Sequence, residues 1–201
     1  MSKIKKVDYG HLTWGPFVLR TIMPDYITKK LIAEGKKLTR SYNRHLAGQL
    51  NNQFLYPNNI QQWFYNEIHP VIQAYRDGHC NYHNIEKRNV HLTADDLWVN
   101  FMKAGDFNPL HTHGGDYSFV YFLDIPKALI KEREAFEGTS AKPGTLMFEY
   151  SQQARPKWST TGHTIYPQTG DFYMFPAMLA HWVCPFKSKV TRISVSGNLR
   201  I

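Results

Sequence analysis

Apolar residues recur at helical spacing in the first half of the chain. The segment DYITKKLIAEGKKLTR has one apolar face, which consists of Ile27, Leu31 and Leu38. Asp25 stands where it would cap the start of this helix. In a second helical segment, NNIQQWFYNEIHPVIQAYRDG, Pro70 predicts a kink and Gly78 predicts the end. The preceding residues, LTWGPFVLRTIMP, are typical of a strand or an extended arm.

From residue 91 onward the apolar pattern changes to that of strands. Short runs rich in aromatic and β-branched residues are separated by Gly, Pro, Asn and Asp. The runs are DLWVNFM, SFVYFLD, GTLMFEY, HTIYP, GDFYMFP, HWVCP and TRISVSGNLR. They predict a β-sandwich or barrel such as a jelly roll, with the two helices over one face of a sheet. The charged stretch from Lys127 to Lys142 carries no strand signal and predicts a helical turn or a mobile loop.

The length of the chain predicts one domain. A chain of 201 residues is long enough for a single sizeable core, and a second domain is not expected. We therefore predict a mainly β domain with flanking helices (α+β) over residues 1–201. In it, residues 1–90 form a mainly helical support and residues 91–201 form the β core.

Composition and charge exclude several classes of function. No apolar run approaches the roughly 20 residues that span a bilayer, and MSKIKKVDYG has no apolar segment behind it, so a signal peptide is not expected. The net charge of +8 comes from scattered lysines and arginines, which do not indicate nucleic acid, whereas an anionic small molecule needs only one or two of them. Cys80 and Cys184 lack a CxxC spacing and are expected to be reduced. These features predict a soluble cytoplasmic protein without a membrane partner.

Two histidines stand one residue apart before an apolar run, in NPLHTHGGDYSFVYFLDIP. Residues i and i+2 of a strand point to the same face, so His111 and His113 would lie side by side. Histidine is a common metal ligand. The pair therefore predicts either half of a metal site or, in the simpler alternative, a turn with two exposed imidazoles.

A second group of polar residues lies near the C-terminus, in GDFYMFPAMLAHWVCPFKSKVTRISVSGN. His181 begins one predicted strand, and in the next strand Arg192, Ser194 and Ser196 alternate on one face. A buried guanidinium needs a partner, and a carboxylate of the protein or of a ligand fits it best. Taken singly, His181 is typical of a hydrogen-bonded core histidine and Arg192 of a salt-bridged residue. Together with the histidine pair they predict a site for a metal and a carboxylate.

This combination resembles the iron- and 2-oxoglutarate-dependent oxygenases, and within them the small oxygenases common in phages and marine bacteria. The resemblance lies in the stretches WVNFMKAGDFNPLHTHGGDYSFVYFLDIP, GTLMFEY, GDFYMFPAMLAHWVCP and RISVSGNL. It implies a double-stranded β-helix, a form of jelly roll, that binds Fe(II), 2-oxoglutarate and O2. It also implies a dioxygenase that couples decarboxylation of 2-oxoglutarate to succinate with oxidation of a second, unidentified substrate.

The resemblance also implies roles for individual residues. His111 and His181 would be iron ligands, and Arg192 would bind the far carboxylate of 2-oxoglutarate with help from Ser194. Two further residues are weaker candidates for the same pocket, namely Asn100 and Ser118. The chain departs from the usual pattern at His113, where a carboxylate ligand is expected, and at Phe122, where many relatives have a tyrosine that holds 2-oxoglutarate.

The third iron ligand has two candidates, and strand geometry favours His113 over Asp116. If His111 points at the metal, residue 113 shares its face and residue 116 does not, unless Gly114 and Gly115 turn the chain. The long segment from Lys127 to Lys142 joins two strands close to the proposed iron. We expect it to be either a lid over the substrate or an ordinary solvated insertion.

Two other functions share this fold. The histidine pair followed by Gly170, Pro176 and His181 also resembles cupins, metal-dependent dioxygenases or isomerases that use several histidines and no 2-oxoglutarate. A typical cupin adds a glutamate soon after the pair, and GGDYSFVYF contains none. A metal-free binding module is the third alternative, and it would leave the three histidines dispensable.

Overall fold

The computed structural model describes residues 15–87, 91–150 and 162–201. These ranges contain ten strands: β1 (Leu19–Ile22), β2 (Gln53–Leu55), β3 (Thr93–Met102), β4 (Asn108–His111), β5 (Tyr117–Asp124), β6 (Leu146–Glu149), β7 (Gly162–Ile165), β8 (Asp171–Pro176), β9 (Ala180–Val183) and β10 (Arg192–Arg200). They also contain four α-helices: α1 (Asp25–Gly35), α2 (Asn58–Glu67), α3 (His69–His83) and α4 (Lys127–Glu134). The stretch MSKIKKVDYG and the first three residues of the predicted arm lie outside the described residues.

The strands form two antiparallel sheets that face each other. One sheet has six strands in the order β1-β8-β5-β10-β3-β2, and the other has four in the order β4-β9-β6-β7. Apolar side chains from both sheets meet between them, among them Phe122 and Phe175 from the large sheet and Phe148 and Val183 from the small one. The strand runs read from the sequence all lie in this sandwich, so the jelly-roll prediction is confirmed.

The helices cover the outer face of the large sheet, as the apolar pattern predicts. Leu31 of α1, Phe64 of α2 and Tyr75 of α3 are fully buried against the sheet residues Phe119 and Phe172. Alternate residues of the large sheet therefore serve two cores, one under the helices and one between the sheets. This division fixes which side chains of β3, β5, β8 and β10 face the interior of the sandwich.

The first helix differs from its prediction at both ends. The N-cap residue is Pro24, and Asp25 lies in the first turn, where its carboxylate pairs with Lys29. The helix ends at Gly35. In its last turn the carbonyl of Leu31 accepts a hydrogen bond from the hydroxyl of Tyr56, which leaves room for no side chain at position 35.

The second helical segment is two helices. Ile68 separates α2 from α3, and Pro70 lies in the first turn of α3, where its missing N–H costs no hydrogen bond. The predicted end at Gly78 is wrong, because α3 runs on to His83 and is closed by Asn84 in the left-handed conformation. Gly78 is instead a contact position, since a Cβ there would lie 2.5 Å from the ring of Phe17.

The first ninety residues contribute strands as well as helices. β1 pairs with β8 at one edge of the large sheet, and β2 pairs with β3 at the other. The strand pattern did not predict β2, which has only three residues, or β4, which contains Pro109. Both short strands line the gap between the sheets, so the helical support also forms part of the β core.

The stretch from Lys127 to Lys142 begins with the helix α4, which packs against the rest of the protein. Leu129 and Arg133 are buried, and the carboxylate of Glu132 accepts hydrogen bonds from the backbone of Lys187 and Ser188. The helix follows the end of β5 that lies beside Ile193, far along the strand from the histidines. The strand that follows the segment, β6, pairs with β9 at His181, so one of the two joined strands runs beside the histidines while α4 itself lies at the far end of β5.

None of the described helices is long and apolar enough to cross a membrane. Cys80 and Cys184 are free thiols, as expected.

Candidate active site

Three histidines meet at one end of the gap between the sheets. β4 and β9 pair antiparallel so that His111 stands directly opposite His181. His113 follows the end of β4, and its backbone N–H donates to the carbonyl of Ala177 at 2.9 Å, which ties it to the turn before β9. Each of the three residues offers one side-chain nitrogen to the cluster, and these nitrogens all lie within 4.8 Å of one another.

Backbone carbonyls orient two of the rings. Nδ1 of His111 lies 2.7 Å from the carbonyl of Pro109, and Nδ1 of His181 lies 2.8 Å from the carbonyl of Leu179. A ring nitrogen that donates to a carbonyl carries the proton, so the lone pair of each ring is on Nε2. The Nε2 atoms of His113 and His181 are 3.1 Å apart, so the two rings converge on one point.

The three imidazoles are neutral at neutral pH. Burial, reinforced by the neighbouring rings, lowers the pKa of His113 to about 3 and the pKa of His181 to about 4. Burial also lowers the pKa of His111. Neutral imidazole is the form that binds a metal, so the rings need to lose no proton to the solvent before a cation enters.

Asp116, the alternative third ligand, lies apart from this group. Its side chain is exposed, and its carboxylate accepts a hydrogen bond from the backbone N–H of Ile201 at 2.7 Å. Gly115 has a φ of 94° and does turn the chain, but it turns Asp116 toward β10, where the backbone N–H of Asp116 donates to Leu199. The structure thus brings together His111, His113 and His181 and leaves the aspartate on the surface.

A cavity leads from the histidines into the gap between the sheets and reaches Arg192. The pairing of β3 with β10 sets the order of residues along the cavity. At the histidine end, Trp98 lies beside His113 and pairs with Ser196. Asn100 pairs with Ser194 next, and Met102 pairs with Arg192 at the far end. Because alternate residues of a strand share a face, these side chains point inward one level after another. The histidines and the arginine are therefore opposite ends of one continuous site.

Arg192 is buried without an acidic partner. It is 3% exposed, its Nη1 lies 3.5 Å from the sulfur of Met102, and its Nε has no partner at all. Its guanidinium lies 4.9 Å from the centre of the Phe122 ring. Burial lowers the pKa of Arg192 to about 10, which still leaves it charged at neutral pH. Among the described residues that line the cavity, none is acidic.

The predicted pocket residues divide into two groups. Asn100, Arg192 and Ser194 line the cavity and are buried. Ser118 does not line it, because its hydroxyl donates to Oδ1 of Asn198 on the neighbouring strand at 2.5 Å. The expectation that Ser118 serves the pocket is therefore wrong.

Two polar residues of the lining escaped the sequence interpretation, Gln53 and Asn108. Nε2 of Gln53 donates to Oδ1 of Asn100 at 2.8 Å, whereas Oε1 of Gln53 and Oδ1 of Asn108 are buried without a partner. Both residues lie in the short strands β2 and β4. The signal in the sequence is faint: Gln53 alternates with Leu55 in QFL, on the opposite face from Phe54.

The residues present fit an iron ion and a dicarboxylate. Imidazole suits first-row transition metals such as Fe(II), and three ligands on one side leave coordination positions open toward the cavity. At the other end, the unpartnered Nε of Arg192 suits a carboxylate oxygen. The donor set thus matches a ligand that reaches from the metal to the arginine.

A wider groove opens on the outer side of the histidines. It shares Trp98, His111 and His113 with the cavity and continues past Tyr42 and Asp96, whose side chains hydrogen-bond to each other. The ring of Trp98 lies 5.9 Å from that of His113. A second molecule in the groove would therefore reach the metal-binding end without passing through the cavity.

Comparison with known proteins agrees with this geometry. Residues 96–198 match the model of a family described as "Putative 2OG-Fe(II) oxygenase". No curated protein sequence matches the chain. Among solved structures, a prolyl-4-hydroxylase of Pseudomonas putida is similar with a TM-score of 0.55 at 13% identity, and the alignment covers 93% of each chain.

Two other solved structures are similar. The viral collagen prolyl hydroxylase of Paramecium Bursaria Chlorella virus-1 has a TM-score of 0.57 at 14% identity, covering 100% of this chain and 97% of that one. HygX of Streptomyces hygroscopicus, with nickel, 2-oxoglutarate and hygromycin B bound, has a TM-score of 0.59 at 9% identity, covering 93% and 83%. At these identities the likeness shows the fold, a double-stranded β-helix.

Proposed function

The chain belongs to the 2OG-Fe(II) oxygenase family, and we propose that it is a hydroxylase. As an oxygenase of this family it depends on Fe(II), 2-oxoglutarate and O2. In the proposed reaction, 2-oxoglutarate and O2 give succinate and CO2, and one oxygen atom enters a C–H bond of a second substrate. The single observation that carries the proposal is that a histidine cluster and an unpartnered arginine occupy opposite ends of one cavity.

In this proposal the iron ligands are His111, His113 and His181. Bound Fe(II), together with 2-oxoglutarate and O2, supplies the oxidising chemistry that no side chain of this site has. The protein positions the ligands through the pairing of β4 with β9 and through the carbonyls that hold Nδ1 of His111 and His181. Because all three ligands are neutral, the ion keeps its full double charge, which strengthens the attraction for an anionic co-substrate.

We assign the co-substrate pocket to Arg192, Ser194 and Asn100. The guanidinium of Arg192 would pair with the far carboxylate of 2-oxoglutarate, and the hydroxyl of Ser194 would donate a hydrogen bond to it. Phe122 gives the guanidinium an aromatic face but offers no hydroxyl, so a tyrosine contact is missing from this pocket. A cupin binds no 2-oxoglutarate, so the cupin alternative does not explain a charged, unpartnered arginine at this depth. Family membership also argues against a cupin.

The outer groove is the proposed binding site of the prime substrate. It reaches His111 and His113 from outside, while the cavity reaches them from within, so two molecules can approach the iron at once. Trp98 forms part of both walls.

The proposal is tested by anaerobic titration of the purified chain with Fe(II), followed by 2-oxoglutarate. We expect one iron per chain, a weak visible charge-transfer band when 2-oxoglutarate is added, and loss of most iron in His111→Ala and His181→Ala. His163→Ala is the matched control, because His163 is an exposed histidine of β7. Full iron content in either ligand variant, or no response to 2-oxoglutarate, would contradict the proposed function.

A further inference from the structure

A row of aromatic rings lines the outer groove, starting at the histidine cluster. The ring of Trp98 lies 5.9 Å from that of His113, and the ring of Tyr42 lies 6.2 Å from that of Trp98. His45 stacks on Tyr42, with 4.8 Å between the ring centres. Trp98 comes from β3, whereas His45 and Tyr42 come from a short 3₁₀ helix (Asn43–His45) and the residue before it. The groove therefore offers an apolar wall to a molecule that extends outward from the metal-binding end.

The same groove contains the carboxylate of Asp96, whose hydrogen-bond partner is neutral. Its neighbour Asp95 forms a salt bridge with Arg200, at 2.8 Å from Nε of the arginine, so these two charges offset each other. Asp96 instead accepts a hydrogen bond from the hydroxyl of Tyr42. Burial and the nearby carboxylate raise the pKa of Tyr42, so the hydroxyl keeps its proton and adds no charge. Within the described part of the chain, no lysine or arginine forms a salt bridge with Asp96.

Strand geometry sets the distance between this carboxylate and the histidine cluster. Asp96 and Trp98 share one face of β3, because alternate residues of a strand point the same way, and they stand about 7 Å apart along the strand. Since Trp98 lies beside His113, Asp96 is one level farther out than the metal-binding end. A molecule that lies along the rings therefore brings one end to the histidines and the other end to Asp96.

An apolar wall that ends at a carboxylate favours one class of substrate. A cation at Asp96 would gain a charge-assisted hydrogen bond, while an apolar stem would lie against the rings. Asp96 would repel a phosphate or a carboxylate at this place, and a neutral aromatic molecule would use the rings without the carboxylate. The chain as a whole carries a net charge of +8, so the attraction for a cation is a local property of this groove.

We propose that the prime substrate is a cation with an apolar stem, whose ammonium or guanidinium group binds Asp96 while a carbon of the stem faces the histidine cluster. This inference rests on the proposed function, because the outer groove is the proposed binding site of the prime substrate. The same chemistry occurs in a free alkylamine and in a lysine or arginine side chain of a polypeptide. Asp96 is thus a specificity-determining residue, and the rings of Tyr42 and Trp98 contact the stem between the two ends.

The test measures the binding of matched charged and neutral probes. The chain is loaded with 2-oxoglutarate and with Zn(II), a diamagnetic ion that binds histidine ligands more tightly than Fe(II) does. n-Pentylammonium and n-pentanol represent the free amine and its neutral counterpart. The peptide Ac-Ala-Ala-Lys-Ala-Ala-amide and its acetyl-lysine form represent the side chain. An NMR titration, followed at the indole N–H of Trp98, gives the affinity of each probe.

We expect at least one cationic probe to bind about 5-fold more tightly than its neutral counterpart. Asp96→Asn should lose this preference, and Asp96→Glu, which keeps the charge, should retain most of it. Asp77→Asn is the matched control, because Asp77 is an exposed aspartate of α3 outside the groove, and its affinities should stay within about 2-fold of the wild type. Binding of pentylammonium alone would identify a free amine as the substrate, and binding of the lysine peptide alone would identify a polypeptide.

The wild-type chain provides a second measurement that depends on no variant. Raising the salt concentration to about 0.5 M should weaken binding of the cationic probe and leave the neutral probe unchanged, because salt screens the attraction between exposed charges. Equal affinities for charged and neutral probes, no response to either cationic probe, or full affinity for the cation in Asp96→Asn would overturn the inference. These results differ from a failure of the proposed function itself, in which the wild-type protein would bind no 2-oxoglutarate.

Discussion

The two cores of this protein differ in how many of their buried polar atoms lack a partner. Under the helices, the hydroxyl of Tyr56 donates to the carbonyl of Leu31 at 2.8 Å, and that of Tyr75 donates to Phe17 at 3.1 Å. Between the sheets, by contrast, the described residues include buried polar atoms without partners, namely Arg192 Nε, Gln53 Oε1 and Asn108 Oδ1. On the helical side the described chain has one such atom, Nδ1 of His79 on α3, beside Tyr75.

This difference distinguishes buried polar groups that stabilise the fold from those that can bind a ligand. A buried polar group with its partner in place stabilises the fold, and a change there should alter stability without altering ligand affinity. A buried polar group without a partner is unfavourable in the free protein, and beside a cavity it is available to a ligand. Each prediction below tests one side of this contrast.

The largest effect is expected at Arg192. Replacing it with Met removes the charge that pairs with 2-oxoglutarate, so affinity should fall by about 30-fold to several thousand-fold, or ~2–5 kcal/mol. Without ligand, the free energy of unfolding should not fall, because an unpaired buried charge is lost. Calorimetry for affinity and urea unfolding for stability check both parts. Unchanged affinity would show that Arg192 does not bind 2-oxoglutarate.

Arg20 provides the matched control for this variant. Its guanidinium pairs with the buried carboxylate of Asp171 at 2.7 Å, on a strand of the same sheet. Arg20→Met leaves that carboxylate with one partner fewer, so we expect about 1–3 kcal/mol of lost stability and no change in 2-oxoglutarate affinity. The paired and the unpaired arginine should thus respond in opposite ways.

A smaller effect is expected from alkaline pH, through the tyrosines under the helices. Burial raises the pKa of Tyr56 and Tyr75 above the ordinary value of about 10. In the unfolded chain both ionise near pH 10, so the stability that they contribute is present below that pH and is lost as the pH rises. Between pH 8 and pH 10.5 we expect about 1–2 kcal/mol of loss from the two together. Urea unfolding of the wild type and of Tyr75→Phe would show the difference, and equal losses in both would refute this source.

The smallest effect is expected for Tyr56→Phe at neutral pH. The variant loses only the hydroxyl that donates to the carbonyl of Leu31, so the free energy of unfolding should fall by about 1 kcal/mol. Iron content and 2-oxoglutarate affinity should stay within about 2-fold of the wild type. A marked loss of affinity would mean that the two cores are coupled and that the contrast drawn between them is wrong.

The sequence predicted the parts of this fold that depend on local pattern. The strands β5, β8 and β10 carry long apolar or alternating runs, and the helices carry an apolar face, so both could be read directly. β2 and β4 could not, because QFL and NPLH contain no longer apolar or alternating run and β4 includes Pro109, so these strands depend on their partners. The same limit applies to Gly78, whose place inside α3 depends on contact with Phe17.

The site also has residues that the sequence predicts and residues that it does not. The three histidines and Arg192 belong to a recognisable motif, so their meeting could be expected from the chain alone. Gln53 was missed because only the register of β2 against β3 brings it to the cavity. Ser118 was assigned to the pocket wrongly because the bond to Asn198 depends on the pairing of β5 with β10. Long-range register decides which polar side chains of a strand find a protein partner and which face a ligand.

The central claim is that the metal end consists of three neutral imidazoles, with His113 in the place of the usual carboxylate. Iron analysis of His113→Ala and Asp116→Ala, loaded side by side, tests it most directly. The Nε2 atoms of His113 and His181 are 3.1 Å apart. Asp116, by contrast, is exposed, and its carboxylate accepts a hydrogen bond from the backbone N–H of Ile201. We predict that His113→Ala loses most of its iron and that Asp116→Ala keeps about one ion per chain. Iron retained by His113→Ala and lost by Asp116→Ala would contradict the account and identify an ordinary site of two histidines and one carboxylate.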